Sequence, residues 1–282
     1  MPEGIWFPGG GTVCFFLFLR RWVRQTIEWG VYMTLQDFFD QNPRVALAFS
    51  GGVDSAYLLY AAQQCGAQVR AYFVRSAFQP QFEADDAARL AQSLGAELRV
   101  LPADVLAAPE IAANPADRCY HCKRLLFSAI RQAAAADGFT ALIDGTNASD
   151  DAGDRPGMRA LRELQVRSPL RECGLTKAEI RRRAREAGLF NWDKPAYACL
   201  ATRIPAGTAI TAEKLQRTER AETWMASLGF RDFRVRLVGE AARLQLPAAQ
   251  LPLLLEKRGQ VLERLKQDYS AVLLDLEVRD EQ

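Results

Sequence analysis

The sequence predicts an α/β protein, a doubly wound parallel sheet followed by a small C-terminal α+β domain. Three observations carry this. Short apolar runs alternate with helical stretches of crossover length between residues 44 and 144. The first run breaks into a glycine-rich turn, Ser50-Gly51-Gly52-Val53-Asp54-Ser55. After Pro205-Ala206-Gly207 the alternation gives way to one long helix and several short strands.

Residues 44–49 form a brief apolar run that ends at glycines, the pattern of a buried parallel strand. Residues 54–64 read as a helix and 68–73 as the next strand. A helix over 82–94, with alanines and leucines on one face, leads to a third strand at 97–101. A long helical pattern over 118–136 precedes a fourth strand at 141–144. Residues 151–203 read as loop-rich, with one strong helix over 177–187. Beyond 205, Thr211 caps a helix to Leu228, and strands are expected at 232–237, 243–246 and 271–276. Ligands of such sheets bind beyond the carboxyl ends of the strands, where Ser50 and Gly145 fall. The expected domains are an extension over 1–33, a nucleotide-binding domain over 34–205 and a small domain over 206–282.

Composition narrows the function classes. Of 282 residues, 49% are hydrophobic and 25% charged, as in a soluble globular protein. A net charge of +2 gives no dedicated nucleic-acid surface. Six cysteines without an export signal point to a reducing cytoplasm rather than a disulfide scaffold, where a cysteine pair is expected to bind metal or take part in catalysis. The apolar run at 13–19 is far shorter than the roughly 20 residues that span a bilayer, and Arg20 and Arg21 follow it rather than precede it. The stretch before Met33 is foreign to the rest, with Trp6, Trp22 and Trp29 beside Gly9-Gly10-Gly11. Met33-Thr34-Leu35-Gln36-Asp37-Phe38 reads like a natural start, which makes 1–32 an over-extended start or a docking segment.

A strand, a Ser-Gly-Gly-x-Asp-Ser turn and a helix make a pyrophosphate cradle. Glycines let backbone N–H groups approach phosphate oxygens, and the helix N-terminus adds its positive dipole. Ser50 and Ser55 offer hydroxyls, and Asp54 is placed to hold Mg²⁺. No lysine follows the glycines, so this is not a loop that transfers a terminal phosphoryl group. The motif resembles that of the PP-loop (N-type) ATP pyrophosphatases, which cleave ATP between its α and β phosphates. Such a resemblance implies adenylation of a carbonyl or carboxyl oxygen, followed by attack of nitrogen or sulfur, because an acyl-adenylate carries a good leaving group.

The cysteines point to sulfur rather than ammonia. Cys119-Tyr120-His121-Cys122-Lys123 sets a CxxC at the head of a helix, where the dipole is expected to lower thiol pKa. Cys199 lies in Lys194-Pro195-Ala196-Tyr197-Ala198-Cys199-Leu200-Ala201-Thr202-Arg203. These stretches, with Asp144-Gly145-Thr146-Asn147, Asp154-Arg155-Pro156-Gly157, Ser168-Pro169-Leu170, Glu222 and Arg234-Val235-Arg236, resemble the LarE family of ATP-dependent sulfur transferases of nickel-pincer cofactor synthesis. The resemblance covers about residues 34–275.

It implies that pyridinium-3,5-biscarboxylic acid mononucleotide is converted to the thiocarboxylate. It implies ATP binding by Ser50, Gly51, Gly52, Val53, Asp54, Ser55, Ser76, Gly145 and Asn147, and substrate binding by Arg155, Arg203, Glu222, Arg234 and Arg236. A homo-oligomer is also implied, a hexamer being one such form. Two sulfur sources are open: Cys199 itself, left as dehydroalanine, or a [4Fe-4S] cluster on Cys119, Cys122 and Cys199 whose fourth iron carries sulfide from a donor protein or from solution. Three cysteines favour the cluster. Rival readings are zinc on the same thiols with Cys173 or His121, a CxxC redox pair, a PP-loop tRNA thiolase, and an ATP-binding module that switches without turnover. Cys14, Cys65 and Cys173 read as structural thiols.

Overall fold

The sheet takes the order β3-β2-β1-β4, and its three pairings are all parallel. In this computed structural model the strands are β1 (Arg44–Ala48), β2 (Gln68–Arg75), β3 (Leu98–Pro102) and β4 (Ala141–Asp144). The chain steps outward from β1 to β3 and then returns to the other side of β1. That reversal opens a crevice beyond the carboxyl ends of β1 and β4. The structure describes residues 33–150 and 156–277. The extension over 1–32 and Arg155 lie outside the described residues.

Alternation along β1 builds a core on each face. Val45 and Leu47 pack with α1 (Leu35–Gln41), α2 (Val53–Gln64) and α8 (Lys177–Glu186) through Phe38, Leu58 and Ile180. Ala46 and Ala48 face the other way, toward Tyr72, Ile130 and Phe139 and the helix α5 (Arg118–Ala136). Side chains two apart on a strand share a face, so one short strand serves both layers. The helix α3 (Gln81–Ser93) joins β2 to β3, and a short α4 (Pro109–Ala112) leads into α5. At the start of α1, Thr34 and Asp37 form a reciprocal capping box.

The stretch after β4 holds more helix than its sequence pattern implies. Besides α8, it contains α6 (Pro156–Glu163) and α7 (Pro169–Glu172). Both are opened by proline, and neither is long enough to show a hydrophobic period. Beyond them α9 (Ala212–Ser227) leads into a second sheet of order β5-β6-β7. There β5 (Arg234–Val238) and β6 (Ala241–Gln245) form an antiparallel hairpin. A crossover through α10 (Leu251–Glu256) and α11 (Arg258–Leu265) brings β7 (Val272–Leu274) parallel to β6. Both sheets belong to one unit, Met33–Gln282. Among the described residues no helix is long and apolar enough to cross a membrane.

Candidate active site

The phosphate loop follows β1 directly. Ser50 Oγ lies 3.1 Å from Ser55 Oγ, Gly52 N–H donates to Ser50 Oγ, and Ser55 Oγ donates to the Gly52 carbonyl. These bonds fold the loop back onto the first turn of α2, whose N-cap is Gly52 and carries no side-chain cap. The amides at that helix end are therefore left for an external acceptor. Gly51 has φ +74°, and a Cβ there would meet Ala87 of α3 at 3.1 Å. Gly145 at the end of β4 is closer still, since a Cβ would stand 2.9 Å from Ser55 N. The loop is thus clamped between two neighbours that tolerate only glycine.

Asp54 projects from the first turn of α2. Its Oδ2 accepts from Lys177 Nζ at 2.6 Å, while its Oδ1 is buried with no hydrogen-bond partner among the described residues. Burial raises its pKa, against the pull of Lys177. An orphaned, desolvated carboxylate oxygen beside a phosphate cradle is the donor a hard divalent cation takes, so Asp54 fits Mg²⁺. Lys177 escapes a search for phosphate-loop lysines because it lies far along the chain, at the start of α8. The only local signal is its place behind the N-cap Thr176.

A cleft of about 370 Å³ joins this loop to the cysteine segment. Ser50, Gly52, Val53 and Asp54 line one end, and Lys194, Pro195, Ala196, Tyr197 and Cys199 the other. Lys177 and Glu83 complete its charged lining. Ser76 lines a neighbouring cleft instead, with its Oγ donating to Gln79 Oε1, and Gln79 borders both. Asn147 is buried as the head of a turn, accepting from Ser149 N–H, and is not among the cleft residues.

Five arginines hold the cysteine segment by its carbonyl oxygens, Arg181 at its start through Lys194 O. Arg234 donates to Ala196 O, Arg203 to Ala198 O, Arg118 to Ala201 O and Arg236 to Thr202 O. Arg203 is fully buried against Glu222, which also accepts from Tyr197 Oη and Val235 N–H. Thus Arg203, Glu222, Arg234 and Arg236 each bond the chain around Cys199, with Arg236 also reaching Gln245 and Arg234 reaching Asp232. The same grip brings in the CxxC. Arg118 at the head of α5 bonds Asn114 and Ala201 O, and its Nη2 lies 3.6 Å from Cys119 Sγ.

Cys122 and Cys199 pack against one apolar cluster that includes Phe78, Leu200 and Ile204. Burial pushes the Cys122 thiol up to about 12, with Cys199 and Cys119 adding to the rise, and burial raises Cys199 as well. The lowering expected from the head of α5 is reversed for Cys122, because desolvation outweighs the helix dipole. The five described cysteines are free thiols. Among the described residues no three His, Cys, Asp or Glu side chains converge closely enough for one metal ion. A cubane cluster asks for wider spacing, since each thiolate binds a different iron. Cys119, Cys122 and Cys199 lie close enough to raise one another's thiol pKa, with Arg118 beside them, and thiolates are the donors such a cluster takes.

The Asparagine synthase family profile matches residues 34–151. The pyridinium-3,5-bisthiocarboxylic acid mononucleotide synthase of Lactiplantibacillus plantarum is 36% identical over 210 residues, 74% of this chain and 76% of that protein. The chain belongs to that family. It is the LarE family of ATP-using sulfur transferases, within the PP-loop pyrophosphatases. An uncharacterised protein of Synechocystis sp. is 39% identical over 77% of this chain and 81% of its own length. Another from Methanocaldococcus jannaschii is 25% identical over 84% and 91%. Each match covers 74% or more of this chain, so the likeness is not confined to the phosphate loop.

Proposed function

We propose that this LarE-family chain adenylates the carboxylates of pyridinium-3,5-biscarboxylic acid mononucleotide and converts them to thiocarboxylates, releasing AMP and pyrophosphate. The observation that carries this is the single cleft that holds the phosphate loop at one end and Cys199 at the other. Adenylation falls on an oxygen of one carboxyl group and sulfur attack on its carbon, so both sets of groups must reach that carboxyl without the substrate leaving.

The loop amides, Ser50 and Ser55 bind the β and γ phosphates at the head of α2. Asp54 would hold Mg²⁺ against them, which supplies charge neutralisation on the leaving pyrophosphate. Lys177 stands where it can pass from Asp54 to a phosphate oxygen. A substrate carboxylate then attacks the α phosphorus, and the mixed anhydride exposes its carbonyl carbon to sulfur. Lys194 offers a cation for a carboxylate in the same cleft. Arg203, Arg234 and Arg236 act on the substrate chiefly by fixing the Cys199 segment, and Arg155 remains a candidate contact for it.

Cys119, Cys122 and Cys199 would hold a [4Fe-4S] cluster, which supplies an open iron site for sulfide. The sulfide then comes from a donor protein or from solution. One observation favours a second reading: of the three, Cys199 alone lines the cleft, as a sacrificed cysteine would. Residues 206–282 serve substrate binding and assembly of a homo-oligomer in a reducing cytoplasm.

Anaerobic purification followed by iron, sulfide and zinc analysis, with intact-protein mass after turnover, tests both. The cluster reading expects iron and sulfide in the wild type, and loss of both in Cys119→Ala, Cys122→Ala and Cys199→Ala. A mass decrease of about 34 Da on turnover, with no bound iron, overturns it in favour of dehydroalanine at Cys199. Pyrophosphate release that does not depend on the mononucleotide overturns the substrate.

A further inference from the structure

Four charged side chains line the cleft: Asp54, Lys177, Lys194 and Glu83. Three already have a partner. Asp54 and Lys177 hold each other, and Lys194 Nζ is 2.7 Å from Asp86. Glu83, in the first turn of α3, carries no side-chain hydrogen bond or ion pair among the described residues. The cations facing it are Lys194, Arg203 of the cysteine turn and Arg234 of β5, with Asp86 opposing them from its own helix. Each of those cations is engaged elsewhere: Lys194 on Asp86, Arg203 on Glu222 and Arg234 on Ala196 O. Half-buried in the cleft wall, the Glu83 carboxyl is pushed up to about 7, desolvation outweighing the pull of the three facing cations.

An unpaired carboxylate is out of place in a cleft meant for ATP and a dicarboxylate, which are all anionic. It makes sense if one part of the substrate is a cation. On the function proposed above, that part exists: the pyridinium ring carries a fixed positive charge between its two carboxylates. The lysines suit the carboxylates and phosphates, and aromatic side chains, Tyr197 and Phe127 among them, border the same space. We infer that Glu83 recognises the cationic ring of the substrate and selects it against neutral rings of the same shape. This rests on the proposed substrate.

The test is calorimetric binding of pyridinium-3,5-biscarboxylic acid mononucleotide and of its 1,4-dihydropyridine counterpart, which has the same substituents and no ring charge. Wild type, Glu83→Gln and Glu83→Asp are compared, with ATP affinity measured on each. The wild type is expected to favour the charged ring by about tenfold or more. Glu83→Gln should bind the two rings alike, and Glu83→Asp should recover the preference. A preference kept in Glu83→Gln overturns the inference, as does a wild type indifferent to ring charge. Loss of ATP binding in both variants also overturns it, by making Glu83 part of the ATP site or the fold. If the wild type binds neither compound, the proposed substrate itself is wrong.

Discussion

Arg203 meets Glu222 in a two-point pair, Nε to Oε1 at 2.8 Å and Nη2 to Oε2 at 3.0 Å, with the arginine side chain wholly out of solvent. The remaining nitrogen, Nη1, donates to Ala198 O and Thr202 Oγ1 on either side of Cys199. With a longer bond from Nη1 to Cys199 O, five donor contacts from one guanidinium join α9 to the cysteine segment. Arg203→Ala leaves Glu222 charged and buried, and the expected loss is about 3–5 kcal/mol of stability. Arg203→Met with Glu222→Leu should recover much of it, because the pair is then removed rather than broken. Denaturant midpoints of the single and double variants check this, and a single variant as stable as wild type would contradict it.

Asp54 separates stability from activity. Its folded pKa is raised, so the ionised form is the one that folding disfavours, and that cost is present at neutral pH and relieved in acid. Asp54→Asn should therefore unfold at a temperature no lower than wild type at pH 7, yet release no pyrophosphate. Lys177→Ala should lower pyrophosphate release by about 10²-fold or more, since it removes a cation from the leaving group. A Lys177→Ala enzyme with normal turnover would confine that lysine to a structural role.

The inner strands β1, β2 and β4 were legible because each is a short apolar run buried on both faces, and the helix over 118–136 and the strand over 141–144 fall at the same residues in the structure. The phosphate loop was legible for a different reason: its chemistry sits in six consecutive residues. What escaped depends on contacts across the chain. Lys177 is 123 residues from the aspartate it holds. The alternation of Arg234 and Arg236 puts them on one side of β5, but nothing local says that this side meets the Cys199 segment. Thiol pKa failed for the same reason, because the burial of Cys122 comes from Phe78, Leu200 and their neighbours rather than from its own helix.

Gly145→Ala should be severe for one added carbon. The new Cβ would press on backbone atoms of Ser55 and Asp54, which cannot rotate away. A loss of about 1–3 kcal/mol is expected, together with weaker ATP binding, because the shift falls on the head of α2. Calorimetry of ATP on the folded variant checks it; unchanged affinity would show that the loop yields without harm.

Acid should reveal a third site, far from the cleft. Arg99, Tyr72 and Arg70 hold the Asp137 carboxyl down to about 2. A depressed folded pKa gives stability that is complete above the unfolded value near 3.8 and is lost as pH falls toward 2. Melting temperature plotted against pH should therefore fall less steeply between pH 4 and pH 2, about the window set by those two values, in Asp137→Asn than in wild type. Parallel curves would remove Asp137 from the account.

The carbonyl contacts on the cysteine segment come from both halves of the unit, Arg118 and Arg181 from the large sheet's helix layers and Arg234 and Arg236 from the hairpin of the small one. If the hairpin melted first, the phosphate loop would survive while Cys199 drifted out of reach. Such a molecule would still activate its substrate and then lose the anhydride to water, spending ATP for nothing. The shared clasp works against that half-competent state: the two ends of the reaction sequence stand or fall together, and fidelity here is a property of cooperativity.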